Sequence, residues 1–361
     1  MKYKIRIYVA ILLLSFPAFL TVVYPSLSGD SRVELRELQN IPSLPTGFWT
    51  LRRWPSQFDQ FTSDRFPFRT DLIRFIGNIF YTMDISISPE VLIGSQGWLF
   101  LRKTSDVLDE SRGVKTLAPS QVTAWAASYI HRKEQLQEQG IELLLVIVPN
   151  KHTIYPQFMG KSNFLVGPTI TDQIVAKLDE FQTEGIVDLR SVLREKAKSE
   201  QIYGRYNTHW NDRGAYFGYR EIIKNIPNSH QILEEQLNFQ SGQVVGGLTR
   251  LIGQSELTEE SQVLIGDESN PSFEFNALAQ KENFRTTGFI TETTLTHLPR
   301  AIFLCDSNTD QYLYKYLAPS FHEALFVHHK GMKFDQEPID SFQPNYVVYI
   351  IVERLIPYSL D

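Results

Sequence analysis

The chain has 361 residues and a formal net charge of −6, and without the basic cluster Lys2, Lys4 and Arg6 the remainder stands at −9. That balance excludes a phosphate-neutralising, nucleic-acid-binding surface, and the length suits one large α/β domain with an accessory segment. Cys305 is the only cysteine, which excludes an intramolecular disulfide and leaves burial to hold the fold.

At the amino terminus, Ile7 to Tyr24 is an apolar run broken only by Ser15, Pro17 and Thr21, with three cations before it and none after it until Arg32. Such a run is long enough to cross a bilayer with its basic end in the cytoplasm. A cleaved signal peptide shares the charged start, and Ser26 and Ser28 offer a small-residue processing site, but the apolar run is longer than a usual signal core. Residues 1–25 are therefore read as a single-pass anchor in the inner (cytoplasmic) membrane, with everything after them in the periplasm or outside the cell.

Residues 26–68 read as a stalk, because Pro42 to Arg69 is rich in proline, aromatics and arginine without a clear period, and residues 69–361 read as one domain. A helix is predicted over Arg69 to Met83, with Leu72, Ile73, Phe75, Ile76, Ile79 and Phe80 along one face. After a turn at Gly94 to Gly97 comes a strand, Trp98 to Leu101. Ser120 caps a predicted helix that runs to Gln139, and Leu143 to Val148 is a continuous apolar run of the kind that is buried on both faces of a sheet. Helices near Ile170 to Gln182, Arg190 to Ser199 and Asp212 to Ile226 accompany a short strand at Ile186 to Leu189. An irregular, polar and glycine-rich stretch then extends to about Pro299. Ala301 to Leu304, Ala324 to His328 and Tyr346 to Val352 read as three more buried strands, with a helix over Thr309 to Leu317 between the first two. Helices alternating with two-sided apolar strands predict an α/β fold, a mainly parallel sheet covered by helices. No nucleotide-binding fingerprint occurs, and no cofactor is expected.

Sites in such sheets gather at the carboxyl ends of the strands. Ser307 stands just beyond Ile302, Phe303 and Leu304, where a helix is about to start, so the first N–H groups of that helix would face an oxyanion on an acyl group bound to Ser307. Asp306, Ser307, Asn308 and Thr309 are also good helix caps, which is the commoner use of such residues. A nucleophile needs an adjacent base. His209 offers one in the polar stretch Asn207, Thr208, His209, Trp210, Asn211. Two residues back, Asn207 points the same way in an extended segment and is placed to hold the ring tautomer. A histidine packed beneath aromatic neighbours is the plainer alternative, and the residues alone leave both readings open.

Lys151, Tyr206 and Trp210 are the candidate substrate contacts. A cation after a strand end can steer an acidic sugar and aromatic rings can stack on sugars, although solvation and packing are the plainer roles. Cys305, at a strand end beside Asp306, is read as core. His322, His328 and His329 do not make a metal site, because adjacent histidines on a strand face opposite ways and no further ligand cluster accompanies them.

Six ordered pieces resemble the alginate O-acetyltransferase family, the AlgJ and AlgX proteins, over most of the chain after residue 55. They are Asp64 to Arg69; Gly94 to Phe100; Val148 to Lys151 with Tyr155 and Pro156; Asn207 to Trp210 with Gly214 and Ala215; Cys305 to Ser307; and the pair Glu353 and Arg354. Histidine before serine is that family's order, the reverse of most SGNH hydrolases. The resemblance implies an SGNH-hydrolase-like domain that transfers acetyl groups to hydroxyls of an extracytoplasmic polysaccharide. In that scheme Ser307 attacks the donor, His209 takes its proton and later activates the sugar hydroxyl, and residue 207 orients His209. It also implies that a membrane-embedded acyltransferase of the MBOAT type delivers the acetyl group, near which the anchor would hold this domain.

Three positions depart from the family pattern. Asn207 replaces an aspartate, Cys305 replaces a glycine, and Gly246, Gly247, Leu248 stand where Gly-Asp-Leu is expected. An asparagine accepts the imidazole N–H through its carbonyl but carries no charge to stabilise imidazolium, and a rotated amide would favour the wrong tautomer. Asp212 is the candidate replacement if the chain turns there. Two alternatives remain beside the transferase: a carbohydrate acetyl esterase using the same residues, and a catalytically silent polysaccharide-binding or scaffold subunit of an export complex.

Overall fold

The computed structural model describes residues 38–64, 68–265, 273–277, 288–328 and 336–359, so the expected anchor and His329 lie outside the described residues. The chain divides into two units, one holding residues up to Ser88 with Thr249–Leu257, the other Pro89–Leu248 with Thr258 onward.

In the first unit, part of the stretch read as an aperiodic stalk is helical: Phe48–Asp64 forms α1, with Pro55 inside it. The period is carried by aromatics that the proline and charges disguise. Trp54 stacks on Phe58 four residues later, and Phe58 meets Phe61 three residues after that. Arg69–Thr82 forms α2, as its apolar spacing predicts. Among the described residues no helix is long and apolar enough to cross a membrane.

The second unit opens with an antiparallel hairpin of Val91–Ile93 (β1) and Leu99–Leu101 (β2). Pro119–Glu138 is α3, which starts earlier than Ser120 because Pro119 presets the first helical angle and the Gln121 side chain accepts the Ala118 N–H. There follow Glu142–Val148 (β3), Ile170–Glu180 (α4), Ile186–Asp188 (β4), Asp212–Ile223 (α5), Phe239–Val245 (β5) and Thr258–Leu264 (β6). Further on come Phe273–Ala277 (β7), Gly288–Thr293 (β8), Arg300–Cys305 (β9), Glu323–His328 (β10), Gln336–Phe342 (α6) and Tyr346–Val352 (β11), with short helical turns between them.

Seven of these strands form one sheet in the order β4-β3-β11-β9-β10-β8-β7. The five from β4 to β10 run parallel, as the two-sided apolar runs predict, while β8 and β7 are antiparallel additions. The sheet is therefore mixed. Both antiparallel strands, and the separate β5–β6 hairpin, lie in the stretch that reads as irregular. Their sequences lack long apolar runs: the inward positions of β6 include the buried polar residues Glu259 and Ser261, and β5 has no fully buried position, so no apolar block marks them.

Alternate residues of the parallel strands supply two apolar clusters, one on each face. Leu144, Val146, Phe303 and Val348 face the side covered by Tyr216, Tyr219 and Ile222 of α5. Leu145, Ile302, Val347 and Tyr349 face the side covered by Trp125 and Tyr129 of α3 and Ile174 of α4. The adjacent strands β3, β11 and β9 thus end side by side, and Asn150, Glu353 and Ser307 follow within a few residues of their carboxyl ends.

Candidate active site

Beyond β9 the chain turns sharply. The carboxylate of Asp306 accepts the N–H of Asn308 at 2.9 Å, and the Asp306 carbonyl accepts the N–H groups of Thr309 and Asp310 at 3.0 and 3.2 Å. The predicted helix follows, but Thr309–Leu313 is wound as a π-helix before Tyr314–Leu317 continues as α-helix. Such local widening is frequent at functional sites. Ser307 sits half-buried at the start of this turn.

The histidine arrives on a loop. Tyr203 and Trp210 pair as an isolated antiparallel bridge that closes the segment from Gly204 to His209. Two buried charges grip that segment. Lys151 Nζ donates to the carbonyls of Gly204, Arg205 and Asn207 at 3.0, 3.0 and 2.6 Å, and the Glu259 carboxylate of β6 accepts the N–H groups of Arg205 and Tyr206. Three carbonyls match the three N–H bonds of an ammonium, whereas a neutral amine has only two to give. Burial pushes Lys151 down to about 7, opposed by the charge of Glu259.

Within the loop, Asn207 Oδ1 accepts the backbone N–H of Thr208 at 2.8 Å and of His209 at 3.3 Å, and faces His209 Nδ1 at 3.0 Å. Turning the amide over would set its NH2 against two N–H donors, so the carbonyl orientation is fixed by the backbone. Nδ1 therefore carries the proton and donates it to Asn207. That leaves the Nε2 lone pair toward Ser307, whose Oγ lies 2.9 Å away. Burial, then the positive charges of Arg354 and Lys151 against the opposing Asp306, hold the imidazole down to about 4, so it is neutral at pH 7.

Arg354 directly follows Glu353 at the end of β11. Its half-buried guanidinium donates to Asn150 Oδ1 at 3.1 Å and is pushed below its usual range by desolvation. Glu353 accepts the Asn150 N–H at 2.7 Å and the Thr153 hydroxyl at 2.5 Å, which ties the ends of β11 and β3 together. The resemblance of the sequence marks this pair without giving it a task. The available signal is a charged pair placed directly after a fully apolar strand.

The structure brings Ser307, His209 and Asn207 together and places the other candidates elsewhere. Lys151 is only 2% exposed and spends its donors on the loop backbone, so it does not face a sugar. Trp210, at 1% exposure, donates Nε1 to the Asn308 carbonyl at 3.3 Å and braces the serine turn from below. Tyr206 is also buried, with its carbonyl accepting the Leu248 N–H. Asp212 does not orient His209: its carboxylate binds Lys315 Nζ at 2.7 Å and the Leu264 N–H at 2.9 Å. Cys305 is buried, its thiol raised by burial and directed at Asp310. His328 pairs with Asp310 as well, and no metal-holding cluster occurs among the described residues. A cleft of about 610 Å³ between the loop and the β5–β6 hairpin is lined by Glu200, Arg205, Tyr206, Glu259 and Gln262 but not by His209 or Ser307.

A serine hydroxyl beside a neutral, tautomer-fixed imidazole is the arrangement of acyl transfer. Residues 91–282, which include Asn207 and His209, match the profile described as SGNH hydrolase-like domain, acetyltransferase AlgX. The chain belongs to this family. Among curated relatives, the probable alginate O-acetylase AlgJ of Pseudomonas aeruginosa is 25% identical over 162 residues, 44% of this chain and 39% of that protein. The Pseudomonas fluorescens protein of the same name is 24% identical over 199 residues, 52% of this chain and 46% of its own length. The match thus spans less than half the length of these relatives. The solved structure of Bacillus cereus PatB1 with a sulfonyl adduct is similar in fold, with a TM-score of 0.54 at 15% identity, over 74% of this chain and 98% of that one. The family is one of O-acetyltransferases.

Proposed function

We propose that this chain transfers acetyl groups to hydroxyls of an extracytoplasmic polysaccharide through an acetyl-Ser307 intermediate. The contact that carries the reading is the 2.9 Å approach of His209 Nε2 to Ser307 Oγ, backed by the fixed Asn207 carbonyl on the other ring nitrogen. Ser307 Oγ attacks the carbonyl carbon of the acetyl donor while its proton passes to His209 Nε2. The tetrahedral adduct then expels the donor's leaving group, which takes that proton. In the second half a sugar hydroxyl gives its proton to the same nitrogen, attacks the acetyl carbon, and the proton returns to Ser307 Oγ.

The cations that depress His209 support the same scheme. Arg354 and Lys151 disfavour imidazolium through their field, and that field favours negative charge on an acyl oxygen bound at Ser307. With residues 1–25 as a membrane anchor, the domain would receive its acetyl group from an MBOAT-type acyltransferase in the same membrane.

The test is turnover of a chromogenic acetyl ester by the full chain in detergent, beside Ser307→Ala and His209→Ala, with intact-mass analysis for one added acetyl group. Acetylation that disappears in both variants is expected, and addition of an oligosaccharide acceptor should move the acetyl group onto sugar faster than onto water. Faster hydrolysis with no sugar product would make the chain an esterase. Turnover no greater than that of the variants would return it to the scaffold reading.

A further inference from the structure

The first unit presents an apolar surface that acyl transfer does not use. On α2, Leu72, Phe75, Ile76, Ile79 and Phe80, with Met83 just past its end, recur every three or four residues and so share one face. All six are exposed, from 37% for Ile76 to 63% for Phe75. The helix is anchored by another face. A Cβ on Gly77 would meet the Ile252 carbonyl at 2.6 Å, and Arg74 pairs with Glu256 at 3.2 Å. Phe48, Trp49 and Leu51 at the start of α1 are likewise exposed, at 58% to 72%, beside exposed Arg52 and Arg53. Large apolar side chains in one stripe are not left to water without an occupant.

We infer that α2 and the start of α1 lie in the headgroup region of a phospholipid bilayer, with these side chains directed into its apolar boundary. Three observations commit the surface to lipid. First, α2 has 14 residues, about 21 Å at the helical rise, and carries Arg69, Asp71 and Arg74, so it suits the plane of the interface and not a crossing. Second, tryptophan and arginine beside exposed aliphatic residues is interfacial chemistry. Residues 38–88 also hold five arginines against four aspartates in a chain of net charge −6, so an anionic leaflet would not repel this segment. Third, Phe48 comes 24 residues after Tyr24, the end of the apolar run expected to cross the bilayer, a tether of at most about 85 Å.

The experiment keeps the full chain in phosphatidylethanolamine and phosphatidylglycerol vesicles, with a photoreactive benzophenone side chain replacing Phe75, Ile79 or, on the polar face, Asn78. An unfolding midpoint equal to the parent's shows that each modified chain folds. Irradiation should give adducts of phospholipid mass at 75 and 79, at least tenfold more than at 78. Cross-links to a second copy, to another polypeptide, to residues 1–37 of the same chain, or equal lipid labelling at all three positions, would overturn the inference. The result is independent of acetyl transfer, because the readout is mass and not activity.

Discussion

A Cβ on Gly247 would stand 3.6 Å from Asn207 Oδ1, an ordinary van der Waals distance. Two of the three departures from the family pattern therefore meet at one point, the amide that holds His209. A carboxylate introduced at 207 would border the imidazole, and one at 247 would border the group that holds it, so carboxylates at both would border each other.

Asn207→Asp should raise acetyl-ester turnover at pH 7 by about tenfold or more, since the charge absent from this site is the one that stabilises imidazolium in the transition state. The same change must move the acid limb of the pH–rate profile above about 4, where burial now holds His209. Adding Gly247→Asp to that variant should reverse part of the gain, because two carboxylates around one amide repel. A double-mutant cycle in turnover measures the coupling, and strict additivity would show that the two positions do not communicate.

Arg354→Met separates two consequences of one charge. Removing the guanidinium takes away a cause of the low His209 basicity, so the acid limb should shift upward. Negative charge on the acyl oxygen would lose support, and turnover above the limb should fall by about 10²-fold. A variant that loses turnover with an unmoved limb would mean that Arg354 acts only by holding Asn150.

These positions also show what the sequence discloses. Strands β3, β9 and β11 were legible because both their faces are buried, which writes an unbroken apolar run. Ser307 and His209 were legible because polar residues directly after a strand or before a helix have few places to go. Strands β7 and β8 were not, since Phe273–Ala277 and Gly288–Thr293 mix polar residues with apolar ones and write no such run. Lys151 was misplaced for a different reason: its partners are three backbone carbonyls, and a carbonyl has no sequence identity. Trp210 was misread in the same way, because its partner is the carbonyl of Asn308, 98 residues away.

Lys151→Met is expected to remove three hydrogen bonds while keeping much of the packing against Trp98 and Phe100, whose ring centres lie 5.5 and 5.0 Å from Nζ. Leaving the buried carbonyls unpaired should cost about 3 kcal/mol of stability. It should also loosen the loop that carries Asn207, lowering kcat by about tenfold or more with KM nearly constant, as befits a positioning residue. Denaturant titration and steady-state kinetics check the two parts. A large rise in KM with kcat intact would instead make Lys151 a substrate contact.

Acid sensitivity should trace to His152. Its Nε2 meets the Leu101 carbonyl at 2.7 Å, its Nδ1 is buried with no partner among the described residues, and burial holds it down to about 3 from an ordinary 6.5. The unfolded chain takes up this proton near 6.5 while the folded chain refuses it. Stability is therefore full above 6.5 and declines as the pH falls toward about 3, by about 1.4 kcal/mol per pH unit at the steepest for one such group. His209, held low in the same way, adds a slope of the same sign down to about 4. His152→Gln keeps an N–H for Leu101 but cannot titrate. Its unfolding free energy, measured by denaturant between pH 7 and 4, should decline less steeply than the parent's, by about one proton's worth. Parallel profiles would mean that His152 takes up its proton in the folded protein, in a pocket that opens to water.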